Sequence, residues 1–160
     1  MNINIDAKES WSVGLIVRLY LPFIRDLPKY FLILEVKGDW VIFTSMTSRQ
    51  ENKTKESIGR PNKYIISYEP LTSKFFGSLI NYNTLLVASK EDFLRISQKT
   101  YRGSKVSSPN YPLNKKDLEN FKKEQINYFR DWNKQKRLTK IIFTLTSENR
   151  EEWMPSYLKI

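Results

Sequence analysis

Cations and hydroxyls that can act on a phosphodiester lie near the second and third predicted strands of this chain. Arg25 and Lys29 lie in the connection before the second strand. Thr47, Ser48 and Arg49 follow one another where the third strand ends. Such groups can bind a phosphate and stabilise charge in its transition state, and a lysine with a lowered pKa can act as general base. The sequence leaves open whether Lys29 or Arg25 is the main cation.

The composition restricts this chemistry further. The chain has neither Cys nor His, which excludes disulfide scaffolds, thiol nucleophiles, triads that use His, and zinc sites built on Cys or His. We expect no cofactor, and any catalysis must use Lys, Arg, Ser, Thr, Tyr and carboxylates. Lys and Arg number 27 against 17 Asp and Glu, so the formal charge is +10 and a polyanion such as RNA is the favoured partner.

The length of 160 residues suits a single domain, 1–160. Apolar residues make up 40% and aromatic residues 14% of the chain, which excludes disorder. No apolar run approaches the roughly 18–20 residues of a membrane span, and the first ten residues lack the basic-then-apolar order of a signal peptide. We therefore expect a cytoplasmic protein with no membrane partner.

A predicted hairpin brings the candidate cations and hydroxyls together. A tight reversal at residues 37–39 joins two apolar strands, the second and third of the chain. Antiparallel pairing around this reversal places Lys29 or Tyr30 near Met46 or Thr47. The cationic connection and the hydroxyls then meet at one end of the sheet. A register error of one residue would turn Thr47 to the other face.

The remaining pattern predicts an α+β, mainly β fold: a small, strongly bent antiparallel sheet or barrel with one long helix packed on it. The predicted strands are 12–21, 30–36, 40–44, 63–68, 84–88 and 140–144, with loops at 47–62 and 100–112 and a short helix capped by Ser89 and Asp92. The barrel core is assigned to 11–97, the long helix to 114–137, and a last strand and tail to 138–160. Residues 72–83 are expected to form a short helix or an irregular crossing.

Further basic and aromatic residues are candidates for RNA binding. On the long helix, Lys116, Lys123 and Arg130 share one narrow arc, and Asp117, Glu124 and Asp131 share another, which favours a basic track that contacts phosphates. Lysines and arginines that merely keep an amphipathic helix soluble would give the same stripe. The other candidates are Lys53, Lys55 and Arg60 in the long loop, and Tyr101 and Arg102 in a loop where a tyrosine can stack on a base.

Three segments follow one another in the first third of the chain: 14–17 (GLIV), 28–36 (PKYFLILEV) and 40–49 (WVIFTSMTSR). Together they resemble the core of the MazF/PemK-like toxins, and more closely their ToxN-like relatives from RNA-inhibited toxin–antitoxin systems. They have the order of that family: a short first strand, a cationic connection, and a third strand that ends in Thr-Ser. Residues 78–87 and 93–96 look like its closing strand and following helix, so the likeness covers roughly 11–97. Where MazF-like toxins usually have Arg-Pro, this chain has Lys29-Tyr30.

The resemblance implies an SH3-like barrel and a metal-independent endoribonuclease. Such enzymes cleave single-stranded RNA by attack of the 2′-hydroxyl, leaving a 2′,3′-cyclic phosphate and a 5′-hydroxyl. Lys29 takes the place of the family's catalytic cation, and Thr47 and Ser48 take the place of its phosphate-binding hydroxyls. Arg49 stands where ToxN-like proteins have a further basic residue. A cognate antitoxin, either RNA or a small protein, is the implied partner, and a homo-oligomer is left open.

Two other function classes remain as alternatives. The first is a non-catalytic, basic barrel of plasmid or phage origin that binds nucleic acid or protein. The second is a ligand-binding barrel unrelated to RNA, which fits the charge of +10 poorly. Cleavage that leaves a cyclic phosphate distinguishes the endoribonuclease from both.

Overall fold

The described part of the chain contains ten strands and two helices in this computed structural model. The residues described are 11–22, 26–47, 63–68, 75–82, 84–106, 111–130, 139–142 and 155–158. The strands are β1 (Leu15–Leu19), β2 (Lys29–Lys37), β3 (Trp40–Thr47), β4 (Lys63–Ile65), β5 (Leu79–Asn81), β6 (Thr84–Ser89), β7 (Thr100–Tyr101), β8 (Ser104–Lys105), β9 (Tyr111–Pro112) and β10 (Thr139–Ile142). The helices are α1 (Lys90–Ser97) and α2 (Lys115–Tyr128), and a 3₁₀ turn spans Ser156–Leu158.

One curled sheet contains eight of these strands. Its main path is β10-β6-β3-β2-β1-β9, and every neighbouring pair is antiparallel except β10 with β6, which is parallel. The curl arises along β3, which pairs with β6 over Trp40–Phe43 and with β5 over Met46–Thr47. β4 continues the sheet beyond β5. The prediction of a mainly β, bent antiparallel sheet is therefore confirmed.

The β2–β3 hairpin is the centre of this sheet, and both of its faces are buried. Gly38 has φ +58°, the left-handed conformation that the tight reversal requires. Phe31 and Phe43 pack on the face that α1 covers, whereas Leu32 and Ile42 pack on the face that α2 covers. This two-sided burial explains why both strands read as almost continuous apolar runs.

The two helices cover opposite faces of the sheet. Ser89 caps α1, and its side chain accepts a hydrogen bond of 3.0 Å from the Asp92 backbone, as the sequence predicted. Asn114 likewise caps α2. The predicted C-terminal end of the long helix, at 136–137, was wrong. Helix α2 ends at Tyr128, and Phe129 forms its C-cap.

Several short elements were not predicted. The sequence suggested a loop at 100–112, but β7 and β8 form a small hairpin there, and β9 pairs with β1. The region assigned to a helix or crossing contains β5. Strands of two or three residues carry too few side chains to show an alternation.

Polar side chains attach α2 to the sheet. Asp117, fully buried, accepts hydrogen bonds from the Tyr64 hydroxyl at 2.6 Å and from the backbone N–H groups of Ser67 and Tyr68 at 2.9 Å each. Glu124 accepts one from the Tyr82 hydroxyl. The predicted acidic arc of α2 therefore has a structural role, because Asp117 and Glu124 both bond to tyrosines of the sheet.

The next turn of α2 is fixed in the same way. Gln125 is buried; its amide donates to the Tyr82 carbonyl at 2.6 Å and its oxygen accepts from the Tyr157 hydroxyl at 2.7 Å. The adjacent Ser156 N–H donates to Glu35 at 3.0 Å. The 3₁₀ turn is therefore joined both to α2 and to β2.

The stability of the fold should fall at alkaline pH because of three hydrogen-bonded tyrosines. Burial, the largest cause, raises the pKa of Tyr64, Tyr82 and Tyr157, and nearby carboxylates add to the shift. An unfolded tyrosine loses its proton near pH 10, so these groups contribute stability that is full below about pH 10 and is lost as the pH rises above it. Urea unfolding measured across that range should show this loss, and Tyr82→Phe should make it shallower. Tyrosinate absorbance from all nine tyrosines before unfolding would contradict the prediction.

No helix among the described residues combines the length and apolar character needed to cross a membrane.

Candidate functional site

Thr47 is the last residue of β3, and the curl of the sheet fixes its position. Its backbone pairs with Leu79 of β5, next to the pair Met46–Ile80. Met46 packs in the cluster beneath α2. Because successive side chains of a strand point to opposite faces, Thr47 lies on the other face, where it is half-buried.

A lysine that the sequence analysis did not single out contacts Thr47. The Lys63 amino group donates a hydrogen bond of 3.1 Å to the Thr47 hydroxyl oxygen. Lys63 begins β4 and pairs with Asn81, so it reaches Thr47 diagonally across β5. Its neighbour Tyr64 is buried beneath α2, which leaves Lys63 on the face of Thr47. The sequence does show the alternation of Lys63 and Tyr64. It does not show that β5 lies between β3 and β4, and without that knowledge the alternation cannot place Lys63 beside Thr47.

Lys29 begins β2 and meets the same end of the sheet. It pairs with Leu19 of β1, and two residues further along, Phe31 pairs with Ser45 of β3. Continuing that antiparallel register by two residues places Lys29 opposite Thr47. This agrees with the prediction that Lys29 or Tyr30 lies near Met46 or Thr47.

A β-bulge in the β2–β3 hairpin affects which residue of β2, Lys29 or Tyr30, comes opposite Thr47. The β2–β3 register shifts between Ile33 and Glu35, so β2 has one extra residue between the turn and the site. Near the turn, Lys37 pairs with Trp40; without the shift this register would place Lys29 opposite Ser48 and Tyr30 opposite Thr47. With the bulge, extension of the Phe31–Ser45 register brings the lysine, rather than the tyrosine, opposite Thr47.

The strand ends around Thr47 are held by side-chain hydrogen bonds. Thr44, fully buried, donates to the Asn81 carbonyl at 3.0 Å. The Asn81 amide in turn donates to the Thr84 hydroxyl at 3.1 Å. These contacts join β3, β5 and the start of β6. The site is thus built on rigid strands, which suits groups that must keep a fixed geometry.

The arrangement can bind and activate a phosphodiester without a metal. An ammonium group beside a hydroxyl stabilises negative charge that develops on phosphate oxygens. A second lysine at the same strand end adds charge or, when neutral, accepts a proton. Among the described residues, no group of three Asp, Glu, His or Cys side chains is placed to hold a metal ion.

The other predicted site residues fall into three sets. The first lies outside the described residues and consists of Arg25, Ser48, Arg49, Lys53, Lys55 and Arg60. The second, Lys116, Lys123 and Arg130, is exposed along α2 and its C-terminal turn. The third, Tyr101 and Arg102, lies in the β7–β8 hairpin and contacts the β1–β2 connection through Asp26. The structure thus brings Lys63, which was not predicted, into contact with Thr47, and Lys29 begins β2 at the same end of the sheet.

Comparison with known proteins assigns no family, because no family model, curated protein or solved structure matches this chain. The likeness to ToxN-like toxins therefore depends on the three sequence segments 14–17, 28–36 and 40–49. The hydrogen bond between Lys63 and Thr47 is an observation independent of that likeness.

Proposed function

We propose that this chain is a metal-independent endoribonuclease toxin of a toxin–antitoxin or phage-defence system, acting on single-stranded RNA in the cytoplasm. The observation that supports the proposal is the hydrogen bond from Lys63 to Thr47 at the end of β3, the end of the sheet at which β2 begins with Lys29. The charge of +10 also supports it. The finer fold assignment that goes with it, an SH3-like barrel of the MazF kind, is part of the same proposal.

The reaction assigns a role to each group. Thr47, with Ser48 after it, binds a non-bridging oxygen of the scissile phosphate. Lys29 takes the proton of the 2′-hydroxyl or stabilises the charged phosphorane, and Lys63 stabilises that charge through Thr47. The 2′-oxygen gives its proton to Lys29 or to water and forms a bond to phosphorus, the bond to the 5′-oxygen breaks, and that oxygen receives a proton from protonated Lys29 or from water. The products are a 2′,3′-cyclic phosphate and a 5′-hydroxyl.

The exposed stripe of α2 is proposed to bind the RNA that the toxin recognises. Lys116, Lys123 and Arg130 are exposed, whereas the acidic residues Asp117 and Glu124 bond to tyrosines of the sheet. A basic stripe of this kind attracts phosphates of substrate or of an RNA antitoxin. Arg25 and Arg49 are proposed to add charge near the scissile phosphate.

The experiment that tests the function is digestion of total cellular RNA by the purified full chain in excess EDTA. Discrete cuts that leave 2′,3′-cyclic phosphate and 5′-hydroxyl ends are expected. The same cuts should persist in Lys99→Ala and Thr100→Ala, which change exposed residues away from β3. These two variants serve as matched controls for Lys29→Ala and Thr47→Ala. Intact RNA under these conditions would reject the endoribonuclease.

A non-catalytic RNA-binding protein is the second candidate, favoured by the exposed basic stripe of α2. In that case, RNA stays intact and the affinity falls steeply as salt rises, because each phosphate contact releases counterions. Charge removal at Lys116 or Lys123 would then weaken binding and flatten the salt dependence, and Thr47→Ala would have no effect.

A further inference from the structure

A cluster of two tyrosines, an aspartate and an arginine lies beside the candidate site. The rings of Tyr20 and Tyr101 are 4.9 Å apart between centroids, at an interplanar angle of 59°. The Tyr20 hydroxyl donates to the Asp26 carboxylate, and the Tyr101 hydroxyl contacts the Asp26 carbonyl at 3.4 Å. The Arg102 guanidinium carbon lies 5.2 Å from the centre of the Tyr101 ring. Tyr101 thus contacts the tilted ring of Tyr20 and the guanidinium group of Arg102, and Arg102 is exposed.

Arg102 has a backbone conformation that is unfavourable for most residues other than glycine. β7 and β8 are joined by a two-residue turn, Arg102-Gly103, with φ values of +51° and +80°. Both signs are those of a type I′ turn, which favours Asn, Asp or Gly. Among the described residues, Arg102 is the one non-glycine residue with positive φ. An unfavourable residue at a hairpin tip indicates that its side chain has a role other than forming the turn.

We propose that Tyr101 and Arg102 form a stacking platform for one unpaired base of single-stranded RNA. Aromatic rings and guanidinium planes are the surfaces on which proteins stack unpaired bases, and a cation beside an aromatic ring strengthens the contact. Tyr20 and Asp26 act as positioning residues, since they hold the Tyr101 ring against the end of β1. The β7–β8 hairpin pairs with no other strand among the described residues, and this cluster connects it to the segment between β1 and β2.

The platform lies next to the nucleotide that the enzyme would cut, an inference that rests on the proposed function. Tyr20 follows Leu19, the residue of β1 that pairs with Lys29. Asp26 lies in the connection that leads into Lys29. The cluster and the candidate catalytic lysine therefore share one end of the β1–β2 pair. The base that stacks there belongs to a nucleotide near the scissile phosphate.

Binding of fluorescent ten-nucleotide oligouridylate and oligoadenylate to the full chain tests the platform. The measurements use the Thr47→Ala protein in EDTA, so that cleavage cannot interfere. We expect Tyr101→Leu and Arg102→Asn to weaken binding by about 5- to 100-fold, the range for loss of one base stack. Arg102→Asn should also keep or raise the midpoint of thermal unfolding, because Asn suits the left-handed turn. Lys105→Ala removes one positive charge from the same hairpin and is the matched control, with an effect below about threefold.

Two further probes separate stacking from charge and from folding. Tyr101→Phe keeps the ring and should bind within about twofold of the parent protein. An oligonucleotide whose bases are removed should bind more weakly and should not distinguish Arg102→Asn from Lys105→Ala. Equal losses for Arg102→Asn and Lys105→Ala on the intact oligonucleotides would overturn the platform.

The outcomes distinguish failure of the platform from failure of the enzyme. If the wild-type protein cuts RNA but Arg102→Asn and Tyr101→Leu bind as well as the parent, the platform is wrong and the ribonuclease stands. If those variants lose affinity as expected but the wild-type protein never cuts RNA, the platform stands and the ribonuclease is wrong. If the wild-type protein neither cuts RNA nor binds the oligonucleotides, both are wrong.

Discussion

Thr47→Ala is expected to lower the rate of RNA cleavage by about 10²–10³-fold, the effect of removing one preorganised donor to a developing anion. The substitution removes the hydroxyl that Lys63 contacts and leaves the backbone pair with Leu79 intact. Thr47→Ser keeps the hydroxyl and should retain activity within about tenfold of the parent. Initial rates on a short RNA that contains one mapped cut, measured in EDTA, give these values. The unfolding midpoints of both variants should stay close to that of the parent.

Substitution of Lys29 and of Lys63 tests whether the loss of activity in Thr47→Ala arises from the proposed mechanism. Lys29→Ala should cost about 10²–10⁴-fold if Lys29 transfers a proton. Lys63→Ala should cost less, and adding it to Thr47→Ala should cost little more, because residues that act as a unit are not additive. Thr100→Ala, the matched control, should cut at the parent rate. Cleavage by Thr47→Ala at the parent rate would remove Thr47 from the mechanism.

The part of the site that the sequence predicted is the part made by local contacts. β2 and β3 are joined by a two-residue turn, so two apolar runs around Gly38 suffice to predict their pairing and to place Lys29 or Tyr30 near Met46 or Thr47. The bulge between Ile33 and Glu35, which selects Lys29 rather than Tyr30, has no signal of its own in an apolar run. The sequence alone therefore could not decide whether Lys29 or Tyr30 lies opposite Thr47.

The parts that the sequence did not predict depend on distant contacts. Lys63 reaches Thr47 only because the three-residue strand β5 lies between β3 and β4. Likewise, a helical wheel placed Asp117 on an acidic arc, but charge alone cannot show that Tyr64, far away in sequence, donates to it. Burial of a carboxylate becomes favourable only when its partners are in place, and those partners are a property of the fold.

Asp117→Ala is the substitution from which we expect the largest loss of stability, about 3–5 kcal/mol in the free energy of unfolding. Asp117 is fully buried and accepts three hydrogen bonds, one from the Tyr64 hydroxyl and two from the backbone N–H groups of Ser67 and Tyr68. Hydrogen bonds to a charged group contribute more than neutral ones, and alanine leaves all three donors without this acceptor. Urea unfolding at neutral pH measures the loss, and an unfolding free energy within about 1 kcal/mol of the parent would contradict the account.

Two milder variants show how the same carboxylate supports the candidate site. Tyr64→Phe removes one donor and should cost about 1–2 kcal/mol. Asp117→Asn keeps one oxygen acceptor but brings an amide group toward the Tyr68 N–H, so its cost should lie between those of Tyr64→Phe and Asp117→Ala. Tyr64 directly follows Lys63 in β4. Tyr64→Phe loses the hydrogen bond that holds this part of β4 against α2, so under conditions where the variant is fully folded its RNA cleavage should still fall. Cleavage at the parent rate by folded Tyr64→Phe would show that Lys63 is positioned by β5 alone.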